Sequence, residues 1–241
     1  MRKFVLDPSA NDSWVQTKHQ KLFSPVQRFP ARVTGDGNCL FNACSLHMVK
    51  NEQLATMLRM LTCIELFLNA NYYANHDVFH ETFKNGKFKT YNSVFAAAVS
   101  NNILLPNQSN ESYVKNTAME LIFSGVYTPF LALLGLSNVI QSSIKLYCKD
   151  ISDERLVSLY NCTILPKPDR NNNETIYLFW TSVTSNDVLN HFLLLVAESL
   201  IGTSSNYDKR TVLIRKPLPD NVLKEIFVKI GTKRKSENLR S

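Results

Sequence analysis

The stretch that decides the fold is Val33-Thr34-Gly35-Asp36-Gly37-Asn38-Cys39-Leu40-Phe41, which joins a glycine-rich loop to an apolar helical pattern. The pattern predicts a helix from Cys39 to about Val49. Gly35 and Gly37 allow backbone angles closed to other residues, so the loop can turn sharply and direct its N–H groups inward. The unpaired N–H groups and the positive end of the dipole at a helix start favour thiolate, which predicts a lowered pKa for Cys39. These features indicate a cysteine nucleophile.

A second interpretation of Cys39 is that it is a small buried hydrophobic residue, as an isolated cysteine at a helix start usually is. The glycine-rich loop argues against this interpretation, because a structural cysteine needs no such scaffold. Backbone amides that face the sulfur are also suited to hold the oxyanion of a tetrahedral intermediate. Gly37 and Asn38 are the loop residues predicted to supply them.

The seven residues from Gly35 to Phe41 resemble the nucleophile motif of the OTU (ovarian tumour) family of papain-like cysteine proteases. Most members of that family cleave ubiquitin from proteins. Further along, Asn190–Leu195, with Leu178–Thr181 upstream, resembles the divergent OTU domains of mobile-element-derived and host proteins of animals. The resemblance covers roughly residues 28–200. It implies an OTU-like cysteine protease fold and a thiol-dependent isopeptidase that needs no metal or organic cofactor.

A cysteine nucleophile needs a base, and the chain offers five histidines: His19, His47, His76, His80 and His191. His19 lies in a polar lead-in, His47 on the first helix, and His76 and His80 in a predicted polar loop. His191 opens a nearly continuous apolar strand, where it is placed to face a helix N-terminus and form a Cys–His pair. The other interpretation of His191 is a hydrogen-bonded histidine at a strand end. The order Cys39 before His191 also fits the OTU family.

The third member of the site departs from the family pattern. Many OTU proteases have Asp or Asn two residues beyond the histidine, on the same face of the strand. That position is Leu193, which cannot accept a hydrogen bond from the ring of His191. The remaining candidates are Asp36, Asn190 and Asp187. Asp36 is the first choice because the resemblance includes it, and its other interpretation, a cap for the loop and helix start, is compatible with that role.

Helical patterns dominate the first part of the chain and strand patterns the last, which predicts the α+β class with a small mixed sheet flanked by helices. Helices are predicted near 14–23, 39–49, 52–73, 94–99, 113–123 and 129–140. Residues 75–91 are predicted as loop with room for a short helix. Strands are predicted at 144–148, with alternating burial, and at 175–181 and 191–197, with an extended approach at 31–34.

The predicted organisation is an N-terminal lead-in (1–27), an OTU-like catalytic domain (28–200) and a basic C-terminal extension (201–241). Within the extension, residues 211–214 are predicted to add a strand and residues 219–230 a helix. No run of about 18 apolar residues occurs, so no membrane-spanning helix is expected.

The net charge of +7 is confined to the end of the chain. Residues 1–208 contain 17 Lys/Arg and 17 Asp/Glu, whereas residues 209–241 contain 10 and 3. A neutral body argues against a nucleic-acid-binding protein as a whole. Lys233-Arg234-Lys235 is either a nuclear-import or nucleic-acid patch or simply a solvated tail, and both interpretations stay open.

Cysteine usage indicates reduced thiols in an intracellular protein, because five is an odd number and the spacing forms no disulfide framework: Cys39, Cys44, Cys63, Cys148 and Cys162. We therefore expect a cytoplasmic or nuclear location, or both, and no secretion. Metal binding is not expected either. Four residues could be considered as metal ligands, but none of them form a CxxC or HxxxH pair: Cys39, Cys44, His47 and Cys63.

Two functions follow from the sequence. The first is a deubiquitinase in which Cys39 attacks the carbonyl at the C-terminus of ubiquitin or a ubiquitin-like modifier and His191 shuttles the proton. The second is a catalytically weak or inactive OTU-fold module, derived from a mobile element, that binds ubiquitin or another protein. Leu193 favours the second function, whereas the intact Cys39 loop and His191 favour the first.

Overall fold

The structure is a computed structural model that describes residues 4–16, 27–85, 88–99, 108–123, 125–148, 153–167, 172–182 and 189–202. Its helices are α1 (Pro8–Gln16), α2 (Cys39–Val49), α3 (Ala55–Leu68), α4 (Ala70–Ala74), α5 (Asp77–Lys84), α6 (Tyr91–Val99), α7 (Asn110–Glu120), α8 (Phe130–Ile140) and α9 (Glu154–Tyr160). Its strands are β1 (Phe4–Val5), β2 (Arg28–Ala31), β3 (Ser142–Cys148), β4 (Thr163–Ile164), β5 (Asn172–Thr181), β6 (His191–Ala197) and β7 (Ile201–Gly202). Over these residues, no helix combines the length and apolarity needed to cross a bilayer.

The central sheet has five strands in the order β2-β6-β5-β3-β4. β3 and β5 run parallel, and the other neighbours are antiparallel. With helices packed around this sheet, the predicted α+β class with a mixed sheet is confirmed. The predicted alternation of β3 is wrong, because every residue of this strand except Lys145 is buried. Both alternating sets of side chains are covered: Trp14 of α1 contacts Tyr147, and α8 and α9 also pack on β3, so the strand has no solvent side on which to alternate.

α8 is the central helix of the molecule, and nearly all of its residues are buried. A helix that is apolar on all sides belongs inside a core rather than on a surface. Gly135 lets α8 approach α3 closely, since a Cβ atom there would lie 2.9 Å from Leu66 Cγ. Pro129, expected in the first turn, stands one residue earlier as the N-cap.

The region between α2 and α6 differs most from the sequence prediction. The single helix predicted over 52–73 is divided into α3 and α4 at Asn69, whose backbone leaves the helical region (φ −112°, ψ 30°). The following segment, predicted mainly as loop, contains α5. His76 is therefore the N-cap of α5, with Nδ1 accepting a hydrogen bond from Val78 N, and His80 lies within the helix.

The N-terminal segment belongs to the same hydrophobic core as the sheet. The helix predicted at 14–23 overlaps α1 only at residues 14–16, because α1 begins earlier, at Pro8, a residue that suits a first helical turn. Residues 17–26 lie outside the described residues. Trp14 is fully buried, with its ring edge-on to Tyr147 and Phe179. The indole N–H donates to Arg28 O at 2.7 Å, which ties α1 to the edge strand β2.

The N-terminal lead-in and the C-terminal extension contact each other in the part that the structure describes, because β1 pairs in parallel with β7. The domain boundaries at residues 27 and 200 stay predictions. The strand predicted at 211–214, the helix predicted at 219–230 and the basic cluster Lys233-Arg234-Lys235 lie outside the described residues.

Candidate active site

Cys39 begins α2 and lies against the backbone on both sides of His191. Its Sγ accepts a hydrogen bond from Phe192 N at 3.4 Å and lies 3.9 Å from Asn190 O. β2 pairs with β6 only from Leu194 onward, so the first residues of β6 extend past the end of β2. Cys39 occupies the edge that β2 leaves open. The structure thus brings together the predicted nucleophile and the strand that bears the predicted base.

Burial decides the protonation state of Cys39. Burial raises the pKa of its thiol above the ordinary cysteine value, although the N–H groups of Phe192 and Leu40 act to lower it. The predicted lowering of the Cys39 pKa is therefore wrong in its net direction. The helix-start amides act as expected, but Cys39 is only 3% exposed and the desolvation of its thiol is the larger effect.

His191 is likewise buried, at 8% exposure, and its ring packs on Gly35. Burial lowers the pKa of His191, while the carboxylates of Asp7 and Asp36 oppose this shift. The ring is consequently neutral at neutral pH, which is the form that can accept a proton. Among the described residues, none makes a hydrogen bond with the ring of His191, so its orienting partner is not assigned by the geometry.

The two glycines of the loop have different roles. Gly37 has φ +80°, and a Cβ atom there would lie 2.5 Å from Gly125 Cα, so neither its conformation nor its surroundings admit a side chain. The expectation of a special backbone conformation is wrong for Gly35, whose φ is not positive. A Cβ atom on Gly35 would make ordinary contact with His191 Cε1 at 3.6 Å.

Asp36 organises the loop through two hydrogen bonds. Its Oδ1 accepts from Asn38 N at 2.9 Å and from Asn42 Nδ2 at 3.0 Å. The same Asn42 amide also donates to Thr34 O, which closes the loop onto α2. The capping interpretation of Asp36 thus has direct contacts, whereas its predicted role in orienting His191 stays a prediction.

Asn38, one of the two predicted oxyanion donors, has its amide hydrogen engaged by Asp36. That N–H is therefore not a free donor in this structure. Asn38 is the N-cap residue of α2, yet its side chain makes no capping hydrogen bond to the helix. Its Oδ1 instead accepts a hydrogen bond from Arg59.

The remaining candidates for orienting His191 are less informative. Asn190 precedes the histidine, and its backbone N–H donates to Thr181 O at 3.0 Å. Asp187 lies outside the described residues. Leu193 is fully buried, so the position that is polar in many OTU proteases is part of the apolar core here.

Arg59 of α3, which no sequence motif predicts to belong to the site, is only 3% exposed. Its guanidinium donates to five oxygen atoms: Leu121 O (2.5 Å), Gly37 O (3.0 Å), Asn38 Oδ1 (2.8 Å), Phe123 O (2.8 Å) and Val126 O (2.9 Å). The apolar pattern gave no signal for this residue, because Met57 and Leu61 of that pattern are exposed and α3 instead buries the face that carries Arg59. A charged residue in a buried stripe is rare unless it has fixed partners.

The part of the chain that the structure describes contains no group of three or more His, Cys, Asp or Glu residues able to hold a metal ion. Cys44 and Cys63 are fully buried, and burial raises the pKa of each thiol to about 12. His47 Nε2 is paired with Glu174 Oε1 at 2.9 Å, away from Cys39.

Within this α+β domain, a buried cysteine at a helix start lies against a strand that bears a histidine. The family model described as "Vertnin, OTU domain" matches residues 30–181, which is more than half of the chain. The chain belongs to this OTU domain family. The matched residues include Asp36, Cys39 and Arg59 and end before His191.

Two solved structures resemble this chain at low sequence identity. The OTU domain of OTUD1 is 17% identical, with a TM-score of 0.40 over 78% of this chain and 95% of that chain. The viral OTU domain protease from Farallon virus is 13% identical, with a TM-score of 0.35 over 72% of this chain and 85% of that chain. A comparison with curated proteins gave no match. The family assignment therefore rests on the match over residues 30–181.

Proposed function

We propose that the chain is an OTU-type cysteine protease that removes ubiquitin or a ubiquitin-like modifier from proteins by hydrolysing isopeptide bonds. The observation that supports this most strongly is the position of Cys39 Sγ, between Phe192 N and Asn190 O and therefore beside His191. A buried structural cysteine has no need of a histidine-bearing strand on one side and a glycine-rich loop on the other.

The chemistry begins with a neutral thiol and a neutral imidazole, because burial raises the pKa of Cys39 and lowers that of His191. The thiol proton passes to His191 as Sγ attacks the carbonyl carbon of the modifier's C-terminal residue. Collapse of the tetrahedral intermediate breaks the isopeptide C–N bond, and His191 returns the proton to the departing lysine amine. Water then loses a proton to His191 and attacks the thioester carbonyl carbon. The C–S bond breaks, His191 gives that proton to Sγ, and the modifier leaves as a carboxylic acid that ionises in solvent. No cofactor enters these steps.

The oxyanion of each tetrahedral intermediate needs hydrogen-bond donors near Sγ. The first N–H groups of a helix have no intrahelical partner, and α2 begins at Cys39. The backbone N–H groups of Cys39 and Leu40 already act on the sulfur and lower the pKa of Cys39. We assign the oxyanion to this helix start, with Gly37 and Asn38 shaping the loop that precedes it.

The alternative is an OTU-fold module that binds ubiquitin or another protein with little or no turnover. Two observations favour it: Leu193 is fully buried where many family members have a polar partner, and no described residue bonds to the His191 ring. Under either function the location is cytoplasmic or nuclear, and any contact with nucleic acid falls to residues 209–241.

A ubiquitin probe with a thiol-reactive C-terminal group distinguishes the two functions. Wild-type protein should form a covalent adduct that is absent in Cys39→Ala and retained in Cys162→Ala, a matched loss of a thiol outside the site. His191→Ala should slow adduct formation, because the neutral thiol then lacks its base. Folded wild-type protein that gives no adduct with ubiquitin or ubiquitin-like probes, yet binds unmodified ubiquitin, would establish the binding module instead.

A further inference from the structure

Arg59 connects two segments that lie far apart in the sequence. From α3 its guanidinium bonds to the nucleophile loop (residues 33–38) through Gly37 O and Asn38 Oδ1. It also bonds to the α7–α8 connection (described residues 121–123 and 125–129) through the carbonyl oxygens of Leu121, Phe123 and Val126. An arginine side chain has five N–H donors, and all five have an acceptor here.

The polar contacts of Arg59 are hydrogen bonds that fix the positions of other groups, and they do not form a simple ion pair. In the described part of the chain no carboxylate lies within ion-pair distance of its guanidinium. Four of the five acceptors are backbone carbonyls, so the arginine fixes main-chain positions. The planar, rigid fork of donors can do this, whereas a lysine ammonium offers only three donors from a single point.

One peptide unit of the nucleophile loop is held from both ends. Arg59 Nη1 donates to the carbonyl of Gly37, and Asp36 Oδ1 accepts from the N–H of Asn38. The carbonyl and the N–H belong to the same planar amide, so the two hydrogen bonds fix its orientation. Each bond involves a charged partner, and the two polarise the amide in the same sense.

The α7–α8 connection also touches the loop directly. The backbone of Gly125 lies against Gly37 so closely that a Cβ atom on Gly37 would be 2.6 Å from Gly125 C. Arg59 binds the carbonyls on both sides of this contact, at Phe123 and Val126, while also binding Gly37. Loop, arginine and connection therefore pack as one unit immediately before Cys39.

We propose that Arg59 is a positioning residue for Cys39, which locks the Gly37–Asn38 peptide and the α7–α8 connection together at the start of α2. Asn38 is the N-cap residue of α2, so the orientation of this peptide sets the position of the next residue, Cys39, and of its N–H. The consequence for turnover rests on the proposed function, whereas the clamp itself is a property of the fold.

Hydrogen exchange of the full chain tests the clamp without reference to activity. Arg59→Lys keeps the positive charge but loses the fork, so amides of residues 36–40 and 121–126 should exchange at least about tenfold faster together. Arg155→Lys is the matched control, because Arg155 is exposed and, among the described residues, its guanidinium bonds to Asp153 and lies over the ring of Phe88. It should leave both segments unchanged.

Asn38→Ala gives a second variant that spares the core, since it removes one acceptor of Arg59 and no helix cap. It should also speed exchange in both segments. If either variant exchanges at the wild-type rate in both segments, or exchanges faster in only one of them, Arg59 does not clamp the two segments together. If Arg59→Lys is destabilised throughout, the result with Asn38→Ala decides.

Kinetics test the positioning role separately. With a fluorogenic substrate on the ubiquitin C-terminus, Arg59→Lys should lower kcat at least about tenfold and change KM less than about twofold. A rise in KM with kcat unchanged would contradict a role in positioning Cys39. If the wild-type protein shows no turnover, the proposed function is wrong, and hydrogen exchange alone then tests whether Arg59 holds the two segments together.

Discussion

Arg59 and Asp36 hold opposite ends of one peptide unit, with Arg59 Nη1 3.0 Å from Gly37 O and Asp36 Oδ1 2.9 Å from Asn38 N. The arginine comes from α3 and the aspartate from the loop itself. This relationship gives Asp36 a structural task that does not involve a bond to His191. It also explains how a loop with two glycines adopts one conformation in front of the nucleophile.

The role of Asp36 can be tested with two substitutions that differ in hydrogen bonding. Asp36→Asn keeps an Oδ1 acceptor for Asn38 N and Asn42 Nδ2, so it should keep most of the wild-type rate of probe labelling. Asp36→Ala removes both bonds and should lower that rate at least about tenfold. Equal losses in the two variants, with both proteins folded, would instead assign the function to the negative charge near His191.

Glycine substitutions should affect stability in a fixed order, measured by urea unfolding. Gly37→Ala combines a positive φ with a Cβ atom 2.5 Å from Gly125 Cα, so it should be the most damaging, at about 3 kcal/mol or more. Gly125→Ala meets open space at φ +82° and should cost only the backbone strain, about 1 kcal/mol. Gly35→Ala should cost least. If Gly37→Ala leaves the free energy of unfolding unchanged, the backbones of Gly37 and Gly125 do not lie as close together as described.

The pH dependence follows from the neutral Cys39–His191 pair. His191 must be neutral to accept the proton, and its pKa is lowered, so kcat/KM should fall only below the usual histidine value of about 6.5. The pKa of Cys39 is raised, so alkylation of Cys39 by iodoacetamide should keep rising above about pH 8.5. Alkylation that reached its plateau near pH 5 would reveal a preformed thiolate–imidazolium pair and contradict the account.

The sequence was sufficient for features that depend on contiguous residues. The nucleophile motif at Gly35–Phe41 and the apolar strand after His191 led to the α+β fold and to a cysteine whose sulfur contacts the backbone of the residues on either side of His191. The start of α2 at Cys39 is also confirmed, because loop and helical pattern meet at that residue.

Features that depend on distant residues were not predictable in this way. The partners of Arg59 in the α7–α8 connection lie more than 60 residues along the chain, so no local pattern reports them. The pKa of Cys39 was predicted with the wrong sign because burial depends on how β6 packs over α2, which helix-start reasoning does not include. Which residue orients His191 is likewise a question of tertiary contacts.

The most direct test of the central claim is the intact mass of the protein after incubation with the ubiquitin probe that carries a thiol-reactive C-terminal group. We predict a single addition of one probe, located on the peptide that contains Cys39, and none in Cys39→Ala. A folded wild-type protein that stays unmodified, or an adduct that persists in Cys39→Ala, would contradict the assignment of Cys39 as the nucleophile of a deubiquitinase.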